Sequence, residues 1–311
     1  MDHLNHYILS ASEASFQIKA GTMTMVDYEA RHQQVKAWAT IEPDSLLRQA
    51  REMDGIPAEK RGPPHGFAIA VKAAIYTKGD FNIFAFFFDP RSSCLPGMLD
   101  LPTRHSSPIH AADGPLHDAS CVAVLRRNGH LIMGKTTATE FTATFEGLST
   151  RSPHDPSRSL GGSSSGSAAA VADFTVRPAS YTGVYVFKPT WNAMSTEGQK
   201  LTSLTFDTFA VMSTSVEDLQ RLAEVCALSD VEPPLPRVGT CKDWSFATVK
   251  TSQWPKAGPA TVQAMLRAAQ ILAQAVAHVV KLTLPVKFDD ALHFQNQILK
   301  NEISTALYHE Y

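Results

Sequence analysis

Four cysteines in 311 residues, Cys94, Cys121, Cys226 and Cys241, show no CxxC spacing. They are too sparse to staple a chain of this length, so they read as reduced structural thiols and not as disulfides or zinc ligands. Excess charge is lacking as well: 28 Lys and Arg face 30 Asp and Glu, a formal net charge of −2. With no basic stripe, nothing supplies the phosphate neutralisation on which nucleic-acid binding depends, and nucleic acid is excluded as a partner. Long apolar runs are missing too. The longest, such as Phe84 to Phe88, fall far short of the ~20 residues that a membrane span needs. The opening MDHLNHYILS has neither the basic nor the apolar region of a leader, so a cytoplasmic protein without membrane association is expected.

What is present is ordinary globular composition. Hydrophobic residues make up 44% and charged residues 19%, with 17 Gly and 19 Pro. That excludes a disordered, collagenous or coiled-coil chain. At one domain per ~150 residues the length suggests about two, although a single large α/β domain fits equally well.

The stretch Ser10 to Ala37 reads as helical and peripheral, and Glu42-Pro43-Asp44 as a turn feeding a helix with an acidic first turn. Gly66-Phe67-Ala68-Ile69-Ala70-Val71 is short and apolar enough to be a buried strand, which places Lys72 at its end. Asp118 opens ASCVAVLRRNG, in which Val122 and Leu125 share a helical face and Gly129 is the natural terminator. Leu131-Ile132-Met133 then resumes as a strand. A second helix followed by a strand runs from Thr261 to Leu284, so the architecture is α/β. Between the two lies Gly161 to Asp173, a Gly/Ser loop running into an alanine-rich helix.

Three readings of the motifs compete. Gly129 to Thr136 fits GxxxxGK[ST], a phosphate-cradling loop with Lys135. Such a loop follows a strand and opens a helix, whereas here a helix precedes Gly129 and the interior is apolar, so nucleotide binding is rejected. Gly162 to Gly166 fits GxSxG, a nucleophile elbow with Ser164 activated by His278 or His293 and by Asp289 or Asp290. The elbow needs a strand before it, and Pro153 to Arg158 carries two prolines and no apolar alternation. In the third reading the Gly/Ser loop forms one wall of a site that faces Lys72. A lysine base near neutral pH needs its pKa lowered from ~10.4 to ~7, which demands about 4–5 kcal/mol of desolvation. The plain alternative is a surface lysine bound to loop carbonyls, with the loop serving only as a cap.

Taken together, PPHGFAIAVKAAIYTKG, DASCVAVLRRNGHLIMGKTTATEF, HDPSRSLGGSSSGSAAAVAD and RPASYTGVYVFKPTWNAMSTEG closely resemble the amidase signature family of serine hydrolases. The resemblance implies one α/β domain: residues 1–60 a helical N-terminal part, 61–225 the signature core with a mixed central sheet flanked by helices on both faces, and 226–311 the start of a C-terminal part. It implies hydrolysis of a small or medium carboxamide without metal or organic cofactor, through a Ser, cis-Ser and Lys triad. Carried over by motif, Lys72 is the base and Ser163 the bridging serine. Gly161, Gly162 and Ser164 then shape the substrate loop, with Ser164 hydrogen-bonding inside it. Asp155 and Arg158 read as loop fasteners.

The chain departs from the family pattern in four places. Relatives pass from the alanine-rich helix through a strand into a GTxTGGS-like turn that holds the nucleophile and the oxyanion hole. Here Asp173-Phe174-Thr175-Val176 leads straight to Arg177-Pro178. Thr175 is a weak substitute, with no oriented base beside it. An insert-like DFNIFAFFFDPRSSCLPGM follows Gly79, Ala73 stands where relatives carry Asp, and the chain stops at Tyr311 where relatives run further. The expectation is an incomplete amidase fold with impaired activity, the alternative a catalytically inactive binding protein.

Overall fold

A computed structural model describes residues 35–41, 43–62, 65–78, 103–110, 114–144, 149–170, 176–228, 242 and 244–310. The phenylalanine-rich insert, Cys94, Cys241, Thr175 and most of the Ser10 to Ala37 stretch lie outside them. The chain divides into two compact units, Met1–Ser229 with Ile303–Tyr311, and Asp230–Glu302.

The first unit is organised by a three-stranded mixed sheet. Strand β1 (Trp38–Ile41) is followed by helix α1 (Pro43–Asp54), strand β2 (Ala68–Lys72), helix α2 (Ser120–Arg127) and strand β3 (Leu131–Thr136). The order is β1-β3-β2, with β1 antiparallel and β2 parallel to the central strand. Parallel pairing of β2 with β3 requires a crossover, which α2 supplies. Its Cys121, Val122 and Leu125 are buried against Ile69, Val71 and Ile132 of the sheet. Helix α2 stops where the sequence places the stop: Gly129 takes φ +82°, and the amides of Gly129 and His130 bond back to Arg126 and Leu125.

The helical reading of the N-terminal part is corrected at Trp38–Ile41, which is a strand. Four residues carry too little periodicity to announce themselves, and their conformation is set by pairing with β3, a tertiary contact. At that seam β3 carries Gly134, where a Cβ would stand 2.4 Å from the Thr40 carbonyl oxygen. Glycine is what lets the two backbones approach there.

Helix α3 (Ser165–Ala170) follows the Gly/Ser loop, then come helix α4 (Val176–Thr182), strand β4 (Tyr185–Phe187), strand β5 (Val211–Ser213) and helix α5 (Val216–Val225). Strands β4 and β5 pair antiparallel. Ser215 caps α5 by accepting from the Asp218 amide at 3.3 Å. Phe209, Ala210, Val211 and Leu219 join the core built on β2 and α2.

In the second unit, strand β6 (Ser245–Val249), helix α6 (Pro259–Gln274) and strand β7 (His278–Leu282) form a βαβ element, its strands parallel in the register Ser245–His278 to Val249–Leu282. Helix α7 (Ala291–Ala306) follows, its residues from Ile303 on belonging to the first unit. The helix and strand expected between Thr261 and Leu284 are both present. Among the described residues no helix is long and apolar enough to cross a membrane.

Candidate active site

Lys72 is the last residue of β2, in register with Thr136 of β3, and its side chain is 6% exposed. Its Nζ lies 2.8 Å from Ser163 Oγ across 91 residues of sequence, and in the charged form donates to it. In a neutral lysine the same contact can run the other way, with the hydroxyl proton pointing at the nitrogen lone pair. The peptide bond between Gly162 and Ser163 is cis, and Gly161 takes φ +69°. Thr139 N donates to the Ser163 carbonyl at 3.1 Å, tying the loop to the segment that follows β3.

The loop is aimed by the helix it feeds. At Gly166 a Cβ would stand 2.2 Å from Thr137 Oγ1 and 2.3 Å from both the Ala37 carbonyl oxygen and the Thr137 amide nitrogen. The Gly166 amide donates to the Thr137 carbonyl at 3.0 Å. Helix α3 therefore seats directly on the backbone at the end of β3 and the start of β1. Ser167 Oγ shares a hydrogen bond of 2.7 Å with Thr136 Oγ1 on the same seam.

Ser164 differs from expectation. Its Oγ is fully buried and has no hydrogen-bond partner among the described residues, so its hydroxyl does not fasten the loop. Its carbonyl accepts from Ala168 N as part of α3. The nucleophile-elbow reading finds no support here: no strand precedes Ser164 among the loop's described residues, and no described histidine reaches its hydroxyl. Asp155 and Arg158 do fasten their loop. Arg158 Nε bonds the Asp155 carboxylate at 2.9 Å, and Ser157 donates to the same group from both its hydroxyl and its amide, which holds that carboxyl below its ordinary range.

Lys72 and Ser163 face a cavity of about 200 Å³ that is also lined by Ile75, Lys200, Phe206 and Asp207. Gly161, Gly162 and Ser164 do not line it. The far wall, Gln199 to Ala210, was not identified from the sequence. It is placed by backbone pairing of Tyr76 N with the Gly198 carbonyl at 2.8 Å and of Lys200 N with the Ala74 carbonyl at 2.9 Å. The one sequence cue was the STEG that closes the last family-like segment, which lies just before this wall.

A second lysine sits behind the site. Lys135, paired with Val71 in the sheet, is completely buried. Its Nζ donates to the Ile75 carbonyl and to the hydroxyls of Thr77 at 3.0 Å and Thr103 at 3.2 Å. Desolvation pulls its pKa from 10.5 to about 7, opposed by Cys121 and Asp118. This is the lysine of the GxxxxGK[ST] match. It is fixed inside a sheet and not at the mouth of a phosphate loop, in line with the rejection of nucleotide binding. Near it, burial lowers His105 to about 4, helped by the charges of His110, Lys200 and Lys135.

Comparison with known proteins points one way. The amidase family model matches residues 98–310. A glutamyl-tRNA(Gln) amidotransferase chain of Lysinibacillus sphaericus is 28% identical over 313 residues, covering 89% of this chain and 60% of that protein. Among solved structures, an amidase superposes with a TM-score of 0.74 at 25% identity, covering 97% of this chain and 69% of its own. The peptide amidase of Stenotrophomonas maltophilia shares the fold with a TM-score of 0.68 at 22% identity, over 99% of this chain and 69% of that one. The chain spans between about two fifths and two thirds of the length of the curated relatives it matches.

Proposed function

Because this chain belongs to the amidase family, we propose that it hydrolyses the C–N bond of a carboxamide at the cavity floored by Lys72 and Ser163. The observation that carries the proposal is the 2.8 Å contact between Lys72 Nζ and Ser163 Oγ at the edge of that cavity. Two groups with opposite proton demands, held within hydrogen-bond reach and beside space for a ligand, are what acid–base catalysis of acyl transfer requires. Neutral Lys72 takes a proton from the attacking hydroxyl and returns it to the departing nitrogen, so the amine leaves neutral. The chemistry needs no metal or organic cofactor. A cavity of about 200 Å³ is smaller than the ~300–1,000 Å³ of drug-sized sites, which favours a small carboxamide.

The test is ammonia or amine release from a panel of small primary and secondary carboxamides by the purified chain. Turnover abolished by Lys72→Ala supports the proposal; a rate equal to the blank for every amide overturns it. A second reading is favoured by the sequence between Ala170 and Arg177, which contains no Gly-Gly-Ser turn. It makes the chain an amide-binding protein without turnover. Calorimetric binding of an amide that is not hydrolysed selects it.

A further inference from the structure

Resting on the amidase reading, we propose that the cavity selects carboxamides whose acyl group is apolar and uncharged, and that Glu310, which stands outside the cavity wall, enforces this choice by cancelling the charge of Lys200. Ala74, Ile75, Leu201, Phe206 and Ala210 supply the apolar part of the wall. Phe206 is 38% exposed and is presented by a stapled turn. The Asp207 carboxylate accepts from the amides of Thr202 at 2.7 Å and Ser203 at 3.0 Å, and the Phe206 amide donates to Ser203 Oγ at 3.2 Å. A turn held in this way orders its apolar face before a ligand arrives, so an alkyl or aryl group is buried there with little loss of freedom.

Apart from Lys72, the charges among the described residues of the wall are Lys188, Lys200 and Asp207, and each is engaged. Lys188 is exposed to water, and its Nζ donates to the Pro189 carbonyl at 2.6 Å. Asp207 is bound to its own turn. Lys200 Nζ forms an ion pair with one Glu310 carboxylate oxygen and lies 5.6 Å from the centre of the Phe141 ring. The other Glu310 oxygen is 2.8 Å from His110 Nε2. Hydrogen bonds from Lys200 and then from His110 hold the Glu310 carboxyl below its ordinary range, so it stays charged beside the lysine. Gln199, Thr142 and Thr208 add hydrogen-bonding capacity to the wall but no charge. A carboxylate entering this space gives up water without meeting a cation that lacks a carboxylate or water of its own.

The experiment compares pentanamide with glutaramate, in which a carboxylate replaces the terminal methyl group. Ammonia release by the full chain gives kcat/KM, and calorimetry gives the affinity where no ammonia appears. Wild type should favour pentanamide at least ~10-fold, and Phe206→Ser should cost pentanamide roughly 5-fold more than it costs glutaramate. Glu310→Gln keeps a hydrogen-bonding group of the same shape and removes the charge. It should move the preference at least ~10-fold towards glutaramate, and adding Lys200→Met should reverse that shift. A merely structural role for Glu310 would weaken both amides together. A wild type that takes glutaramate as well as pentanamide overturns the proposal, and so does a preference unmoved in folded Glu310→Gln. If circular dichroism shows that variant unfolded, the wild-type and Phe206→Ser comparisons decide. Binding of pentanamide over glutaramate without ammonia release leaves the selectivity standing and selects the reading without turnover. Neither binding nor turnover of pentanamide sinks the selectivity and the amidase reading together.

Discussion

Lys135 offers a measurement of what the interior of this fold does to a charge. Its folded pKa of about 7 lies about 3.5 units below the ordinary 10.5, and each unit corresponds to ~1.4 kcal/mol, so the full effect is roughly 5 kcal/mol as an upper bound. The sign follows from proton binding. Between pH 7 and 10.5 the unfolded chain still holds the proton that the folded chain has released, so stability rises with pH across that window. Below pH 7 both states are protonated and the cost of the buried ammonium is present in full. Other groups titrate in the same range, which makes the useful quantity the difference between wild type and Lys135→Met. The methionine fills similar volume without a charge, and takes the ammonium donor from the two threonine hydroxyls and from the Ile75 carbonyl, which keeps the Thr77 and Thr103 hydroxyls as donors at 3.2 and 3.3 Å, a constant loss of about 1–3 kcal/mol. Urea denaturation at half-unit steps from about pH 6 to 9.5 should show a flat difference below pH 7. Above it, wild type should gain on the variant by up to ~1.4 kcal/mol per pH unit. Parallel curves over the whole range would refute the reasoning. They would mean that the three acceptors hold the ammonium as well as water does.

His105 runs the same logic on the acid side. Its folded pKa of about 4 lies below the ordinary 6.5, so the unfolded chain takes the proton first and stability falls as the pH drops from 6.5 to 4. His105→Asn, chosen because asparagine tolerates the φ of +48° at that position, should flatten this loss in acid-denaturation curves; an unchanged slope counts against it. Leu125→Ala should cost about 2–5 kcal/mol by chemical denaturation, since the side chain is 3% exposed and packed between α2 and the sheet. Gly134→Ala should fail to give a cooperatively folded protein, because its methyl would meet the β1 backbone; wild-type stability would show that the strands can part at no cost. Asp155→Asn, on an exposed loop, should leave the thermal midpoint where it is despite breaking an ion pair.

Much of the site's scaffold was legible because its signals are local. The apolar run ending in Lys72, the face shared by Val122 and Leu125, and the glycine that stops α2 each act over a few residues, and each landed where the spacing put it. What stayed hidden depends on contacts far apart in sequence. Strand β1 exists through its partner. The cavity wall at Gln199 to Ala210 is held by backbone pairing with Ala74 and Tyr76. Lys135 looked like part of a phosphate loop because a pattern match registers residue type and spacing, whereas its role follows from acceptors 58 and 60 residues earlier in the chain. The meeting of Lys72 with Ser163 was available only through the family-like pattern, since 91 residues of intervening chain carry no periodic cue to it.

The close seat of Gly166 bears on transplantation. Residues 161–165 form the loop that brings Ser163 to Lys72, yet their direction is set one residue later, where α3 rests on the carbonyl of Ala37 and the amide of Thr137. A graft of the loop alone onto another scaffold would therefore carry the functional groups without their aim. The smallest portable unit is the loop together with α3, the end of β3 and the residues leading into β1, pieces drawn from well-separated parts of the chain. Directed variation of this protein has a natural division for the same reason. The cavity rim at Thr142 and Phe206 is open to change, while the seam at Gly166 is closed to any side chain at all.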